Sequence, residues 1–311
     1  ADEEQNELVR KFGKKPTFDF PLKSHVDILK ELRFADTERA AKIAGARFWF
    51  LTGELAELEM AIQKYGIDFM VGKGYTLVQP PFMMQRKAYE GVVDLSDFVD
   101  VIYKIEEEDL YLIATSEHPL TAMFMDEILD ENCLPIKMAG VSTCFRKEAG
   151  SHGKDTKGIF RGHQFNKIEQ IIICKPEESL KYHEELIKNA IAFFESLDLH
   201  FKQINMCTGD IGTIAAKKYD LECWMPVQKA FREVVSASNC TDYQARRLKM
   251  RYAHEGKKII PHTLNATCVA TSRLLAAILE NFQNKDGTIS VPKVLQKYMG
   301  GKKKIGNKPK K

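Results

Sequence analysis

The stretch Phe145–Gln170, FRKEAGSHGKDTKGIFRGHQFNKIEQ, is the most informative part of the sequence, and its pattern indicates a β-hairpin. Two β-like segments, Val141–Glu148 and Ile159–Gln170, flank a loop that is rich in glycine and polar residues, namely Gly150, Ser151, Gly153 and Asp155. Neither segment alternates cleanly between apolar and polar residues, because charges fall at both parities. The pattern alone is therefore also compatible with a solvated hairpin that carries surface charges.

The composition of the chain is that of a globular protein. Its 311 residues are 44% hydrophobic and 29% charged, enough for one large domain or two small ones. No run of about 18 apolar residues is present, and the first residues, ADEEQNELVRK, lack the apolar core of a signal peptide. We therefore expect a soluble, cytoplasmic protein that does not enter a membrane.

Cysteine usage indicates a reducing compartment. The seven cysteines include no CxxC pair and no cluster with histidine at zinc-binding spacing. This pattern predicts reduced, small, buried residues rather than disulfides, ligands or nucleophiles.

Positive charge is concentrated at the C-terminus. Residues 302–311, KKKIGNKPKK, carry six lysines, and without them the formal net charge of +3 becomes about −3. We expect a solvated, disordered tail, with nonspecific attraction to RNA phosphate as the alternative. We expect no DNA binding.

Hydrophobic periodicity predicts an α+β protein. Helices are expected at His25–Leu32, Thr37–Gly45, Thr52–Lys73, Pro176–Leu197 and Ser272–Phe282. A further helix is expected to begin in TSEHPL (Thr115–Leu120) and to continue through Leu129. In the Pro176–Leu197 helix, Leu180 is expected on the inner side. Strands are expected at Arg47–Leu51, Tyr103–Ile105, Leu110–Ala114, Phe201–Met206, Tyr219–Trp224, Phe231–Asn239 and His262–Thr267. The concentration of strands late in the chain favours an antiparallel sheet over a doubly wound one. No GxxxxGK[ST] loop or GxGxxG turn is present, so a nucleotide would bind side chains over a sheet.

Three segments resemble, in order, the three motifs of class II aminoacyl-tRNA synthetases. GYTLVQPPF (Gly74–Phe82) resembles motif 1, and LNATCVATSRLLAAILENFQ (Leu264–Gln283) resembles motif 3. FRKEAG followed by FRGHQFNKIEQ is similar to motif 2 in the form typical of seryl-tRNA synthetases. The similarity extends from about Lys11 to Gly301 and implies a class II synthetase-type antiparallel β-sheet flanked by helices.

The resemblance also implies a domain organisation. Residues 1–15, polar and ending near Gly13 and Pro16, have the composition of a linker or frayed end, and they resemble the junction that follows the tRNA-binding helical arm of seryl-tRNA synthetases. Residues 16–301 would form the catalytic domain, and 302–311 the tail. Since the chain begins at this junction with Ala1, we expect an excised or truncated catalytic domain.

The activity implied by the resemblance is that of a serine–tRNA ligase. Such an enzyme activates L-serine with ATP and Mg²⁺ to seryl-adenylate, releases pyrophosphate and transfers the seryl group to tRNA(Ser). This chemistry needs orientation and charge stabilisation rather than a covalent nucleophile. The family also implies a homodimer formed through the Thr52–Lys73 helix and the strand after it. Transfer to tRNA is expected to be slow and weakly selective without the helical arm.

Four residues match the centre that acts on the phosphates. Arg146 would bridge the serine carboxylate and the α-phosphate, and Arg273 would hold the γ-phosphate, so these are the expected catalytic residues. Glu233 and Ser236 match the pair that holds Mg²⁺, a cation that prefers oxygen ligands.

Three further residues match positions that bind ATP. Glu148 would accept a hydrogen bond from the adenine amino group, and Phe165 would stack on the adenine ring. Arg161 would hold the β- and γ-phosphates.

The resemblance also assigns the serine pocket. Glu169 and the TSE triplet would surround the ammonium group, and residues of motif 3 would approach the hydroxyl, although Thr115 and Ser116 are also good helix N-caps. The family commonly has glycine after the motif 3 asparagine, whereas this chain has Ala266, which we expect to add a methyl group beside the pocket. The expected serine-binding residues are Thr115, Ser116, Glu117, Arg146, Glu169, Asn265 and Thr267.

Two alternative functions belong to other classes. A homologue that loads an aminoacyl group onto a carrier protein would bind the amino group through zinc, but no obvious Cys/His ligand set accompanies Glu169. A non-catalytic paralogue acting as a binding module would have lost some of Arg146, Glu169, Glu233 and Arg273, all of which are present.

Overall fold

The computed structural model describes residues 5–94, 100–148 and 157–306. Its strands are β1 (Glu7–Phe12), β2 (Ala35–Asp36), β3 (Phe50–Leu51), β4 (Thr76–Val78), β5 (Met83–Met84), β6 (Tyr111–Leu112), β7 (Ile128–Asp130), β8 (Ile136–Phe145), β9 (Gln164–Cys174), β10 (Phe201–Asn205), β11 (Lys217–Met225), β12 (Ala230–Asn239), β13 (Arg251–His254), β14 (Lys257–Ile259), β15 (His262–Ala270), β16 (Ile289–Ser290) and β17 (Lys304–Ile305). Its helices are α1 (His25–Leu32), α2 (Thr37–Ala44), α3 (Gly53–Gly72), α4 (Arg86–Glu90), α5 (Glu117–Ala122), α6 (Ser179–Ser196), α7 (Tyr243–Arg247), α8 (Thr271–Asn281) and α9 (Lys293–Gln296).

Eight strands form one sheet in the order β1-β10-β11-β12-β15-β9-β8-β4. Every neighbouring pair is antiparallel except β4 and β8, which run parallel. The predicted antiparallel α+β sheet flanked by helices is therefore confirmed.

Strand β9 explains why its sequence shows no simple alternation. On one face, Ile168 and Ile172 enter the main hydrophobic core. On the other face, Ile171 and Ile173 join a second core cluster, whereas Phe165, Lys167 and Glu169 line an open cleft. Because the strand is covered on both faces over most of its length, polar and apolar residues share each parity.

The main core lies between the sheet and three helices, α3, α6 and α8, which carry several of its largest buried side chains. Gly66 lets α3 approach the sheet closely, since a side chain at this position would meet Val269 at 3.1 Å and Ile168 at 3.3 Å. Leu180 is 63% exposed, so the prediction that it faces inward is wrong. It lies in the first turn of α6, two residues before Tyr182, and Tyr182 and His183 are buried instead.

The hairpin predicted from Val141–Glu148 and Ile159–Gln170 is present with shifted boundaries. β8 pairs with β9 from Ile136↔Ile173 to Phe145↔Gln164, so the strands end before Arg146 and begin after His163. The predicted strand over 159–163 is therefore wrong, although the Arg146 amide still donates to the His163 carbonyl at 2.9 Å. The predicted loop residues Gly150, Ser151, Gly153 and Asp155 lie outside the described residues.

Three other element predictions are wrong in extent. The helix after TSEHPL ends at Ala122 instead of Leu129, because Asp126 adopts a left-handed backbone (φ 63°) and the chain continues as β7, paired with β13. The strand predicted at Arg47–Leu51 is reduced to β3, since Arg47 also has a positive φ of 62°. The strand predicted at Tyr103–Ile105 is wrong in extent too, since it is reduced to an isolated bridge between Lys104 and Tyr111. The remaining predicted helices and strands are found within a few residues of their expected bounds.

Both ends of the chain are more ordered than their composition predicts. The segment expected to be a linker contributes β1, which pairs with β10, and Phe12 stacks on Phe201 with ring centroids 4.8 Å apart. In the tail, β17 pairs with β16, and the Gly306 amide donates to Glu54 Oε2 at 2.7 Å. The expectations of a linker and a disordered tail are thus wrong for Glu7–Phe12 and residues 302–306. The last five tail residues, 307–311, lie outside the described part.

All seven cysteines are free thiols, as predicted, and five are buried, while Cys133 is exposed. Among the described residues, no helix combines the length and apolar character that crossing a membrane requires.

Candidate active site

A cleft of about 320 Å³ opens over β9, β11, β12 and β15. Alternate residues of neighbouring strands face it because side chains two residues apart share one face of a sheet. Thr267 lies opposite Glu169, and Ser238 lies opposite Asn265. Ten of the thirteen predicted site residues line this one cleft: Thr115, Glu117, Arg146, Phe165, Glu169, Glu233, Ser236, Asn265, Thr267 and Arg273.

Arg146 lies at the middle of the cleft, directly after the end of β8. Its Nε donates to the Ala114 carbonyl at 3.2 Å, and its guanidinium carbon lies 5.2 Å from the centroid of the Phe165 ring. The carbonyl and the ring fix the direction of the side chain, which leaves the remaining N–H donors of the fork for a ligand.

The inner end of the cleft is built around a buried ion pair. Lys167 Nζ lies 2.7 Å from Glu169 Oε2, and the two side chains are only 6% and 2% exposed. The Thr267 hydroxyl also donates to Glu169 Oε2, at 3.2 Å. One carboxylate oxygen thus receives two donors and is held in place, so this end is rigid and carries a fixed negative group.

Glu117 supplies a second carboxyl to the same end. The Thr115 hydroxyl accepts from the Glu117 amide at 3.2 Å, which anchors the first turn of α5. Burial, reinforced by the nearby Glu169 carboxylate, raises the pKa of Glu117 to about 7. Two carboxyl groups in one small pocket fit a ligand with an ammonium group.

The outer end of the cleft carries charges that pair with each other. Arg273, the third residue of α8, donates through Nη1 to Glu233 Oε1 at 2.9 Å and to the Glu233 carbonyl at 3.1 Å. The Glu233 side chain is 46% exposed. A polyanion entering here would compete for Arg273, with the α8 N-terminus contributing a favourable dipole.

Oxygen ligands for a divalent cation adjoin this pair. Ser236 lies opposite Asp220 across β11 and β12, and its hydroxyl is hydrogen-bonded to the Asp220 carboxyl. Asp220 is 4% exposed, and its Oδ1 has no hydrogen-bond partner within the described residues. Burial and the Glu233 carboxylate raise the pKa of Asp220 to about 7.

The donor set fits Mg²⁺, which favours carboxylate and hydroxyl oxygens shared with substrate phosphates. In the ranges that the structure describes, no three Cys, His, Asp or Glu side chains converge as a complete metal site. Glu233 and Ser236 would therefore hold the cation only together with phosphate oxygens.

Two residues expected at the serine pocket lie behind its wall. Ser116 is fully buried against Gly140. A Cβ atom added at Gly140 would lie only 2.5 Å from Ser116 Oγ, so Ser116 packs between α5 and β8 instead of facing the cleft. Ala266 is buried in the main core, on the opposite face of β15 from Asn265 and Thr267. The expectation that its methyl group lies beside the pocket is wrong, because neighbouring residues of a strand point to opposite faces.

Glu148 and Arg161 also lie outside the cleft lining and pair with each other. Arg161 Nη1 lies 2.7 Å from Glu148 Oε2. In this arrangement neither group is directed at a nucleotide, so their roles toward adenine and phosphate stay predictions.

Several lining residues were not singled out from the sequence. Lys167 is two residues before Glu169, and this spacing on one strand is a usable signal for a shared face. Lys218 lines the cleft from β11, but nothing in the sequence shows that this strand borders the cleft. Residues 211–215 also line the cleft as irregular backbone without a pattern.

A second cavity of about 290 Å³ shares Phe165 with the cleft. Its wall is aromatic and apolar, with contributions from Trp49 and Met60, and it contains the buried carboxyl of Glu59. Glu59 Oε1 accepts from Asn166 at 2.7 Å and from Thr271 at 3.0 Å, so its hydrogen bonds stay within the protein.

The chain is similar to known proteins in both sequence and structure. The family model for the tRNA synthetase class II core domain (G, H, P, S and T) matches residues 101–282. The serine–tRNA ligase of Methanocella arvoryzae is 54% identical over 304 residues, which is 96% of this chain and 71% of the relative. The structure of seryl-tRNA synthetase from Pyrococcus horikoshii complexed with ATP superposes with a TM-score of 0.95 at 49% identity, covering 98% of this chain and 73% of that one. The cytoplasmic serine–tRNA ligase of Naegleria fowleri in complex with AMP gives a TM-score of 0.93 at 44% identity, with the same coverage.

Proposed function

Because the chain belongs to the seryl-tRNA synthetases of class II, we propose that its cleft is the active site of a serine–tRNA ligase. The protein activates L-serine with ATP and Mg²⁺ to seryl-adenylate, and then transfers the seryl group to tRNA. The observation that carries the assignment is that one cleft is lined by Arg146, by the carboxyls of Glu169 and Glu117, and by the guanidinium of Arg273. Relatives that are serine–tRNA ligases favour this reading over a carrier-loading homologue or a non-catalytic paralogue.

At the inner end, serine binds with its ammonium group toward Glu169, Glu117 and Thr115. Asn265 and Thr267 face its hydroxyl from β15. A pocket that hydrogen-bonds the hydroxyl rejects alanine, since its own polar groups would otherwise be left unpaired, and its size excludes threonine.

At the centre, a serine carboxylate oxygen attacks the α-phosphorus and the bond from that phosphorus to the bridging oxygen of pyrophosphate breaks. Arg146 holds the attacking carboxylate and an α-phosphate oxygen in one geometry and stabilises the charge that develops there. Phe165, beside Arg146, offers its ring face to the adenine.

At the outer end, Arg273 leaves Glu233 and Arg161 leaves Glu148, and the two arginines bind the β- and γ-phosphates. The released Glu148 carboxylate then accepts a hydrogen bond from the adenine amino group. Mg²⁺, when bound by Glu233 and Ser236, neutralises phosphate charge. Nucleotide binding therefore rearranges this end more than the inner one.

We also propose a homodimer and a cytoplasmic location, since tRNA charging serves translation. Exposed apolar side chains at Met60 and Val71 on α3 and at Leu77 on the edge strand β4 form a surface that a second copy would cover. Light scattering at micromolar concentration tests the dimer, and an active monomer would refute it. We propose residues 16–301 as the catalytic domain. Strand β1, which precedes this range, is an edge strand of the same sheet and so extends the domain.

The function is tested by serine-dependent exchange of pyrophosphate into ATP. We expect exchange that requires Mg²⁺ and serine and that is weak with alanine or threonine. Equal exchange with alanine or threonine would refute the serine pocket, and no exchange with any amino acid would refute adenylate formation.

A further inference from the structure

Gln244 lies directly behind the inner end of the cleft, in the short helix α7. Its side chain is fully buried, and it does not line the cleft. It joins three separate segments: the turn after α4 through Val92, strand β15 through Thr263, and helix α5 through Glu117.

The hydrogen bonds fix the orientation of this amide. Gln244 Nε2 donates to the Val92 carbonyl at 3.1 Å and to Glu117 Oε1 at 2.9 Å, and Oε1 accepts from the Thr263 hydroxyl at 2.7 Å. Because a carbonyl can only accept, the nitrogen must face Val92, and its second N–H is then directed at Glu117.

The bond to Glu117 is the one that connects this network to the ligand. Val92 and Thr263 satisfy one N–H and the carbonyl of the amide, and any backbone carbonyl would be enough for the second N–H of a glutamine that only fills the core. The third bond crosses to a carboxyl that lines the cleft beside Thr115 and Glu169. It engages one carboxylate oxygen of Glu117 from behind, which leaves the other for a ligand.

We propose that Gln244 is a positioning residue for serine recognition, whose amide holds the Glu117 carboxylate in the orientation that receives the serine ammonium group. The inference rests on the proposed function. It adds a residue outside the three motifs to the apparatus that selects the amino acid.

The donated bond also favours the charged form of Glu117, so its loss raises the pKa of that carboxyl further. Serine binding by a variant that lacks the donor should then weaken most at low pH and recover as the pH rises. The other charged or titratable groups around Glu117 are Glu169 and Lys167 from β9, Arg146 after β8, Cys240 after β12, Tyr89 from α4 and the adjacent His118.

The test compares Gln244→Met, which has similar length and no donor, with Gln283→Met. Gln283 is a suitable control because it is also buried and makes three hydrogen bonds, to Lys23 N, Lys23 O and Glu280 O, far from the cleft. Both variants lose a similar amount of buried hydrogen bonding, so both should lose similar thermal stability.

In pyrophosphate exchange at pH 7, we expect the KM for serine of Gln244→Met to rise about ten- to a hundredfold, because a hydrogen bond to a charged group is lost. The KM for ATP should change less than about twofold. The rise in the serine KM should be larger at pH 6 and smaller at pH 8.5. Gln283→Met should match wild type in both KM values.

A serine KM that is unchanged in Gln244→Met, or an ATP KM that rises in parallel, would overturn the proposal. If Gln244→Met does not fold, Thr263→Val removes the donor that holds Gln244 Oε1, and it should raise the serine KM severalfold without changing the ATP KM. An unchanged serine KM in that variant would equally overturn the proposal. A wild-type protein without serine-dependent exchange would instead refute the proposed function.

Discussion

The two ends of the cleft differ in how their charges are arranged before any ligand binds. At the inner end, Lys167 and Glu169 form an ion pair that is almost completely buried. At the outer end, Arg273 pairs with Glu233, which is 46% exposed, and Arg161 pairs with Glu148 outside the cleft. The inner end is thus preformed for a small substrate, whereas the outer end must exchange partners to bind phosphates.

This difference follows from the chemistry of the two ligands. Selecting serine among amino acids that differ by one group requires polar atoms held at fixed positions, which only a buried network provides. ATP brings several negative charges, and these can displace the Glu233 carboxylate, which is 46% exposed, from Arg273 at little cost because exposed ion pairs are weak.

The largest effect is expected at Arg146, which lies between the two ends. Arg146→Ala should lower the exchange rate by about a thousandfold or more, because the guanidinium acts on charge that develops in the transition state. Circular dichroism should show an intact fold, and Arg39→Ala, on the exposed surface of α2, should retain full activity. An active Arg146→Ala enzyme would remove the central residue of the proposed mechanism.

The preformed end is probed by Glu169→Gln. The serine KM should rise about a hundredfold while the ATP KM stays within about twofold, because only the ammonium loses its charged partner. Since Lys167 is left as an uncompensated buried charge, the free energy of unfolding should also fall by about 3 kcal/mol. Steady-state kinetics and denaturant titration measure the two effects, and a Glu169→Gln enzyme with normal stability would show that the inner end is not preformed by this pair.

The reorganising end is probed by Arg161→Ala. We expect the ATP KM to rise about tenfold and the serine KM to stay within about twofold, because only the β- and γ-phosphates lose a donor. The free energy of unfolding should also fall, by about 1 to 3 kcal/mol, because the Glu148 carboxylate is only 11% exposed and loses this partner. An unchanged ATP KM would indicate that Arg161 keeps its pairing with Glu148 when ATP binds.

The last prediction concerns how the Glu117 carboxyl at the inner end changes the free energy of unfolding with pH. The pKa of Glu117 is about 7 in the folded protein against an ordinary 4.5, so the folded state binds more protons between these values. Stability should therefore fall as the pH rises from about 4.5 to about 7 and level off above that range. Glu117→Gln removes this contribution and should be about 2 kcal/mol more stable than wild type at pH 8, and equal to it near pH 4.

Thermal unfolding across this pH range measures the difference between the two proteins. A Glu117→Gln variant that is less stable than wild type at pH 8 would contradict the account. The same variant should bind serine more weakly, which separates its gain in stability from its loss of function.

The sequence predicts the sheet and most of the site because both depend on local patterns. Phe165 and Glu169 share the parity of one strand, and Arg146 and Arg273 lie in motifs whose order is visible in the chain. The sequence does not predict that Arg161 and Glu148 pair with each other, because that pairing depends on where the two arms of the hairpin lie in space.

Predictions based on composition alone were wrong at both ends of the chain. Residues Glu7–Phe12 are exposed along most of their length and half of them are charged, yet they pair with β10 because main-chain hydrogen bonds do not depend on side-chain polarity. Gln244 was missed for a different reason, since its role depends on three partners that are far apart in sequence.

The central claim is that one cleft holds serine at its buried end and the nucleotide phosphates at its open end. The most direct test is a crystal structure of the protein with a non-hydrolysable sulfamoyl analogue of seryl-adenylate. The account predicts the analogue's ammonium within hydrogen-bonding distance of Glu169 and Glu117, its sulfamoyl group against Arg146 and its adenine on Phe165. An analogue bound in the opposite direction, or in the second cavity beside Trp49 and Met60, would contradict it.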